Sequence, residues 1–174
     1  MTKIERKIIQ LLSDYPEQEF YGGEITRKIG CSKASASVIL RKFFKKKLIF
    51  MKAKGHMKFY QINTKSSEIK KIKIDVVLEK MNNLLPKVQK FSQKIILFGS
   101  GARGEQTAKS DIDLFIMSRK KNEIRAVLKD INLGLAVNAI IKTSSEWSEM
   151  EVAEPEFYQE INNGIILYDY VSRI

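Results

Sequence analysis

Apolar residues recur at helical spacing near the start of the chain. Ile4, Ile8, Leu11 and Leu12 share one face of the segment TKIERKIIQLLSDYP, which Pro16 closes. A short extended piece, EFYGG, leads to a second helix, GEITRKIG, that ends at Gly30. Ser32 then caps a third helix, SKASASVILRKFFKKK, because its hydroxyl accepts from an orphan N–H of the first turn. In that helix the pattern turns Val38, Ile39 and Phe43 inward. It leaves Lys33, Ser35, Ser37 and Arg41 facing out. Two short strands follow around Gly55 in LIFMKAKGHMKFYQIN, a hairpin with a basic tip.

Beyond residue 65 the pattern changes. Ile74, Val77, Met81, Leu84, Val88 and Phe91 recur every three or four residues, a seam that meets either the protein's own domains or a second copy in a homodimer. Pro86 is expected to kink or split that helix near Leu85. Strand IILF, strand DIDLFIM, helix KNEIRAVLKDIN and strand LGLAVNAIIKT come next. TSSEWSEM reads as a capped helix start, and EPEFYQEINNGIILYDY as a helix and a short strand. Trp147, Phe157 and Tyr158 are expected in a core or interface. The pattern predicts a two-domain α+β chain: an α-rich unit with a β-hairpin over 1–65, a helical connector over 66–91, and a mixed-sheet α/β unit over 92–174.

Charge sharpens this division. The net charge of +11 is uneven: residues 1–65 carry +10, residues 66–91 carry +3 and residues 92–174 carry −2. A basic first third points to a polyanionic partner for that module alone. With 44% hydrophobic and 29% charged residues the chain can bury a core. It has no apolar run of the roughly 18–20 residues that a membrane span needs, and no signal-peptide core at its start. A single cysteine, Cys31, allows no internal disulfide and sits where a small core residue is expected. A cytoplasmic protein without membrane attachment is the expectation.

Helix, helix, helix, hairpin, with EITRKIGCSKASASVILRKFFKKKLI at its centre, resembles the winged helix-turn-helix domains of bacterial and archaeal transcription regulators. The resemblance covers about residues 1–65 and implies double-stranded DNA as partner. Lys33, Ser35, Ser37 and Arg41 would then meet base edges and phosphates in a major groove. Lys52, Lys54 and Lys58 on the wing would neutralise phosphates, adding affinity without reading sequence. Lys45, Lys46 and Lys47 complement the helix dipole or touch phosphate.

The stretch ILFGSGARGEQTAKSDIDLFI carries the chemistry. Gly99 to Gly104 spells G-x-G-x-x-G, but the next apolar strand starts within a few residues of Gly104. A dinucleotide fold needs a full helix between them and an acidic residue about 20 positions on, so that reading fails on spacing. Gly99-Ser100, ten residues, then Asp111-Ile-Asp113 fits another pattern. Two aspartates two apart on a strand project from the same face, and their mutual repulsion calls for a cation between them. Mg²⁺ is the expected cofactor, since it takes hard oxygens from one or two carboxylates plus phosphates. Gly99 allows a tight turn, and backbone N–H groups at Ser100 point toward an anion. Arg103 either neutralises a phosphate or pairs with Glu105 or another nearby carboxylate.

This stretch resembles the nucleotidyltransferase superfamily that includes DNA polymerase β, and more closely its minimal bacterial and archaeal members. The resemblance rests on FGSGARGEQTAKSDIDLFI and covers about residues 92–174. It implies an NTP, expected to be ATP, bound by Gly99, Ser100, Arg103 and Ser110. It also implies metal binding and catalysis at Asp111 and Asp113. Active members carry a third carboxylate on a neighbouring strand; here that position falls on Asn138, which holds no charge and takes no proton. Glu146 is the fallback. The resemblance implies transfer of a nucleoside monophosphate to a protein or small-molecule hydroxyl, with a HEPN-type toxin as one class of protein acceptor. The alternative is a DNA-binding transcription regulator whose degenerate transferase domain binds or senses a nucleotide without turnover.

Overall fold

The computed structural model describes residues 1–130, 133, 134 and 136–170. The expected helix end at Ile131 and Asn132, and Leu135 of the expected strand, lie outside them. The chain divides into two compact units: 1–73 with 106–109, and 74–105 with 110–174. The boundary at 73/74 falls inside one helix of the 66–91 segment.

In the first unit, α1 (Lys3–Asp14), β1 (Phe20–Tyr21), α2 (Gly22–Ile29) and α3 (Lys33–Lys45) precede the hairpin strands β2 (Ile49–Lys54) and β3 (Met57–Ile62). The sheet runs β1-β3-β2, antiparallel throughout, with Lys54 opposite Met57 at the tip. Local sequence marks several of the helix ends. Thr2 and Glu5 close a reciprocal capping box on α1, which satisfies two backbone donors that the helix leaves open. Ser32 caps α3 by accepting from the Ser35 N–H. Gly30 ends α2 with φ 72°, a left-handed conformation that glycine adopts without a Cβ penalty.

Ile8, Ile9, Leu12, Phe20, Ile25, Leu40, Phe43 and Ile49 form the core of this unit. Glu5 is buried beneath it, where the Lys42 ammonium donates to its carboxylate at 2.6 Å. That bond, with the Thr2 backbone N–H, holds the Glu5 carboxyl below its ordinary range.

The face of α3 differs from the expected one. Ala36, Leu40 and Phe43 point into the core, Ile39 is half-buried, and Val38 is 66% exposed. The stripe 36–40–43 and the stripe 38–39–43 both satisfy helical spacing. Packing against α1 and α2 selects the first.

The second unit holds the C-terminal half of α4 (Ser67–Met81), then α5 (Leu85–Gln89), β4 (Lys94–Phe98), α6 (Gly99–Arg103), β5 (Ile112–Met117), α7 (Lys121–Lys129), β6 (Val137–Lys142), α8 (Ser144–Ala153), α9 (Pro155–Asn162) and β7 (Ile165–Asp169). Its sheet order is β6-β5-β4-β7: β5 pairs antiparallel with β4 and parallel with β6. The parallel pair is joined through α7, a crossover that such a connection requires. The helix break falls before Pro86, which occupies the first turn of α5. Val77, Met81, Leu84 and Val88 are buried with Ile112, Leu114 and Ile116 in one core cluster. These four seam residues serve this unit's own core.

The opposite face of the sheet is also covered. Ile96, Phe98 and Phe115 pack there with Met150 and Ile161, joined by Trp147 and Phe157. The Trp147 ring lies 4.2 Å from those of both Phe115 and Tyr158. Among the described residues, no helix is long and apolar enough to cross a membrane.

Candidate functional site

The outward face of α3 and the hairpin both present exposed basic residues. Lys33, Ser37, Val38 and Arg41 are exposed on α3, and Lys52, Lys54 and Lys58 on the hairpin strands. Two of the expected contact residues are already engaged. Ser35 is half-buried, its N–H and hydroxyl both bonded to Ser32 at the helix cap. Lys54 pairs with Glu19 and lies 4.8 Å from the Phe59 ring. Lys46 pairs with Glu68 at 3.2 Å. Lys33, Arg41, Lys52 and Lys58 enter no ion pair among the described residues, so their charge is available to an anion.

In the second unit the Gly99–Gly104 segment forms a tight turn and short helix at the end of β4. Gly99 has φ 64°, and a Cβ placed on it would stand 2.5 Å from Asp113 Oδ2. Glycine is needed here twice over, for its left-handed backbone and for the approach of that carboxylate. α6 spans only Gly99–Arg103; Gly104, with φ 67°, closes it by donating to the Ser100 carbonyl. Glu105 N–H donates to the same carbonyl at 2.9 Å. Ser100 and Ser110 are half-buried, and Asp111 is exposed.

Register assembles the rest. Phe98 faces Asp113 across β4–β5, and Asn138 faces Asp113 across β5–β6. These three residues form one row on one face of the sheet, and Asp111 is exposed just before β5 begins. Asn138 is exposed, with its Nδ2 donating to Asp113 Oδ1 at 3.1 Å. Asp113 thus has an amide, not a second carboxylate, beside it on the neighbouring strand. Among the described residues no group of three or more His, Cys, Asp or Glu is arranged to hold a metal. The exposed Asp111 and the half-buried Asp113 offer hard carboxylate oxygens of the kind Mg²⁺ takes, and Asn138 adds no charge to them.

Glu146 does not take the missing role. It closes a capping box with Thr143 at the start of α8, and Lys121 donates to both of its carboxylate oxygens, at 2.7 and 2.6 Å. The Lys121 ammonium, followed by the Thr143 backbone N–H, lowers its carboxyl to about 2.

Arg103 is likewise committed. Its Nη1 donates to Glu160 Oε1 at 2.9 Å and its Nε to Glu105 Oε2 at 3.1 Å. The pairs with Glu160, then Glu105, push its guanidinium further toward the charged form. Of the two roles open to Arg103, the structure shows the carboxylate pair.

Sequence reading missed the turn between α9 and β7. Glu160, Asn163 and Gly164 join Gly99, Ala102 and Arg103 around a cavity of about 180 Å³. Gly164 packs so closely on the Leu97 carbonyl that no side chain fits there. The only local signal was the turn-forming Asn-Asn-Gly after a helix. Nothing in the chain's linear order connects it to Gly99.

Residues 79–172 match the family model described as Polymerase beta, Nucleotidyltransferase. A search of the curated proteins finds no match. Among solved structures, the chain is similar to MepR, a transcription regulator of the Staphylococcus aureus multidrug efflux pump MepA. The identity is 20% and the TM-score 0.43, over 53% of this chain and 67% of that one. It is also similar to a protein of Archaeoglobus fulgidus, at 19% identity and a TM-score of 0.40, over 48% of this chain and 92% of that one. NolR from Sinorhizobium fredii resembles it at 21% identity and a TM-score of 0.35, over 44% and 72% of the two chains.

Proposed function

The chain belongs to the polymerase β nucleotidyltransferase family, and on that premise we propose that it is a DNA-binding regulator whose transferase unit binds a nucleotide without turning it over. The observation that carries this reading is the bond from Asn138 Nδ2 to Asp113 Oδ1. An amide beside the metal-binding aspartate adds no charge for a second cation and offers no base for an acceptor hydroxyl. General-base assistance is worth about 10²–10⁴-fold, so its loss leaves binding and removes most of the transfer. Arg103, engaged by Glu160 and Glu105, supplies no free cation to a triphosphate unless both pairs open.

In this reading Asp111 and Asp113 hold one Mg²⁺, which would neutralise the phosphates of an NTP, ATP by preference. Gly99 and Ser100 shape the backbone that approaches those phosphates. Lys33, Ser37 and Arg41 of α3 face duplex DNA, and Lys52 and Lys58 add phosphate contacts.

Two measurements on the full chain test the reading. Labelled ATP with Mg²⁺ is expected to bind and to leave no label on protein or small molecules. DNA affinity is expected to shift on addition of the nucleotide, and the shift to disappear in Asp111→Asn with Asp113→Asn. A second reading, Mg²⁺-dependent transfer of a nucleoside monophosphate to an acceptor such as a HEPN-type toxin, is favoured by the intact Gly99–Asp113 packing. Robust labelling of an acceptor would establish it and sink the first.

A further inference from the structure

We propose that Val38 reads the C5-methyl group of a thymine in the DNA site, a specificity contact that rests on the DNA-binding reading above. Val38 is 66% exposed at the centre of α3 and packs in none of the core clusters. Exposed Ala34 precedes it by one turn, exposed Ser37 adjoins it, and exposed Arg41 follows three residues later. These four side chains form one stripe on the helix. The stripe lies in the module that carries +10 of the chain's net charge.

A β-branched residue gains nothing on an exposed helix face, since alanine would favour the helix more. In the major groove it has a use, because the thymine methyl is the one apolar group that base edges present there. Arg41, which forms no ion pair among the described residues, carries the fork that matches guanine O6 and N7. Together, Val38 and Arg41 favour a site in which a thymine lies within a base or two of a guanine. Ser37 is adaptable and adds no preference of its own.

The test selects duplexes from a random library with the full-length protein. Each thymine in the preferred site is then replaced by uracil, which removes only the methyl. Wild-type protein is expected to lose about fourfold in affinity at one thymine, the worth of one methyl group leaving water. Val38→Ser is expected to lose a similar factor on the thymine duplex and to show no further loss on the uracil one. Because Val38 is exposed, thermal melts of the variant are expected to match wild type; the uracil scan of the wild type needs no variant at all. Equal affinity for every uracil duplex would overturn the proposal, as would losses from Val38→Ser and uracil that simply multiply. Binding to duplex DNA with no sequence preference overturns the Val38 contact and leaves the DNA-binding reading standing. Absence of duplex binding at low salt removes both.

Discussion

Replacing Asn138 with aspartate tests the site at its centre. The amide donates to Asp113 Oδ1 at 3.1 Å; a carboxylate in its place would face that oxygen with like charge. At that separation two unit charges repel by about 1.3 kcal/mol in a water-like dielectric, which suits an exposed position. Loss of the hydrogen bond, at this exposed position, adds roughly 0.5–1.5 kcal/mol. The expected destabilisation is therefore about 2–3 kcal/mol, or roughly 5–10 °C in melting temperature for a chain of this size.

Two rescues identify the cause. Acid should relieve the penalty, because neutralising either carboxylate removes the like-charge contact that the variant introduces. Mg²⁺ should relieve it too, since a ligand at a hundredfold its dissociation constant stabilises by about 2.7 kcal/mol, which matches the penalty. The assay is a set of thermal melts of Asn138→Asp and wild type, with and without Mg²⁺, at neutral and acid pH. A variant as stable as wild type without metal refutes the electrostatic account. A loss that neither Mg²⁺ nor acid relieves refutes the assignment of Asn138 to the third-carboxylate position.

Gly99→Ala is expected to cost more than the roughly 1–2 kcal/mol of a left-handed alanine, because its Cβ also displaces the Asp113 carboxylate. Urea unfolding measures this, and metal-dependent nucleotide binding by calorimetry should fall with it. On the wing, Lys52→Ala and Lys58→Ala should each reduce the slope of log affinity against log salt by about 0.9. Lys54→Ala should change it less, because Glu19 already neutralises that ammonium; equal slopes for all three would contradict the structure. For Glu146, whose carboxyl falls from an ordinary 4.5 to about 2, the stabilisation is full above pH 4.5. It is lost as pH falls from there toward 2. Glu146→Gln should flatten that acid limb in melts recorded across the range, and an unchanged limb would show that the Lys121 pair contributes nothing.

The linear chain determined what depends on near neighbours. Helix caps at Thr2, Ser32 and Thr143, the hairpin turn at Gly55 and the break before Pro86 follow from interactions within a few residues. The Gly99-Ser100 to Asp111-Ile-Asp113 spacing was legible for the same reason: the whole motif lies in one short stretch of chain. Tertiary structure decided whatever depends on which of two equivalent stripes is covered, or on partners far along the chain. Val38 faces out because packing around Leu40 and Ala36 turns α3 one way, a choice the helical period leaves open. Phe115, expected only as part of an apolar strand, is buried because α8 and α9 cover the second face of the sheet. Arg103 meets Glu160 across 57 residues through the α9–β7 turn. Asn138 could be named from its flanking residues. Only the parallel register of β5 and β6 brings its amide to Asp113.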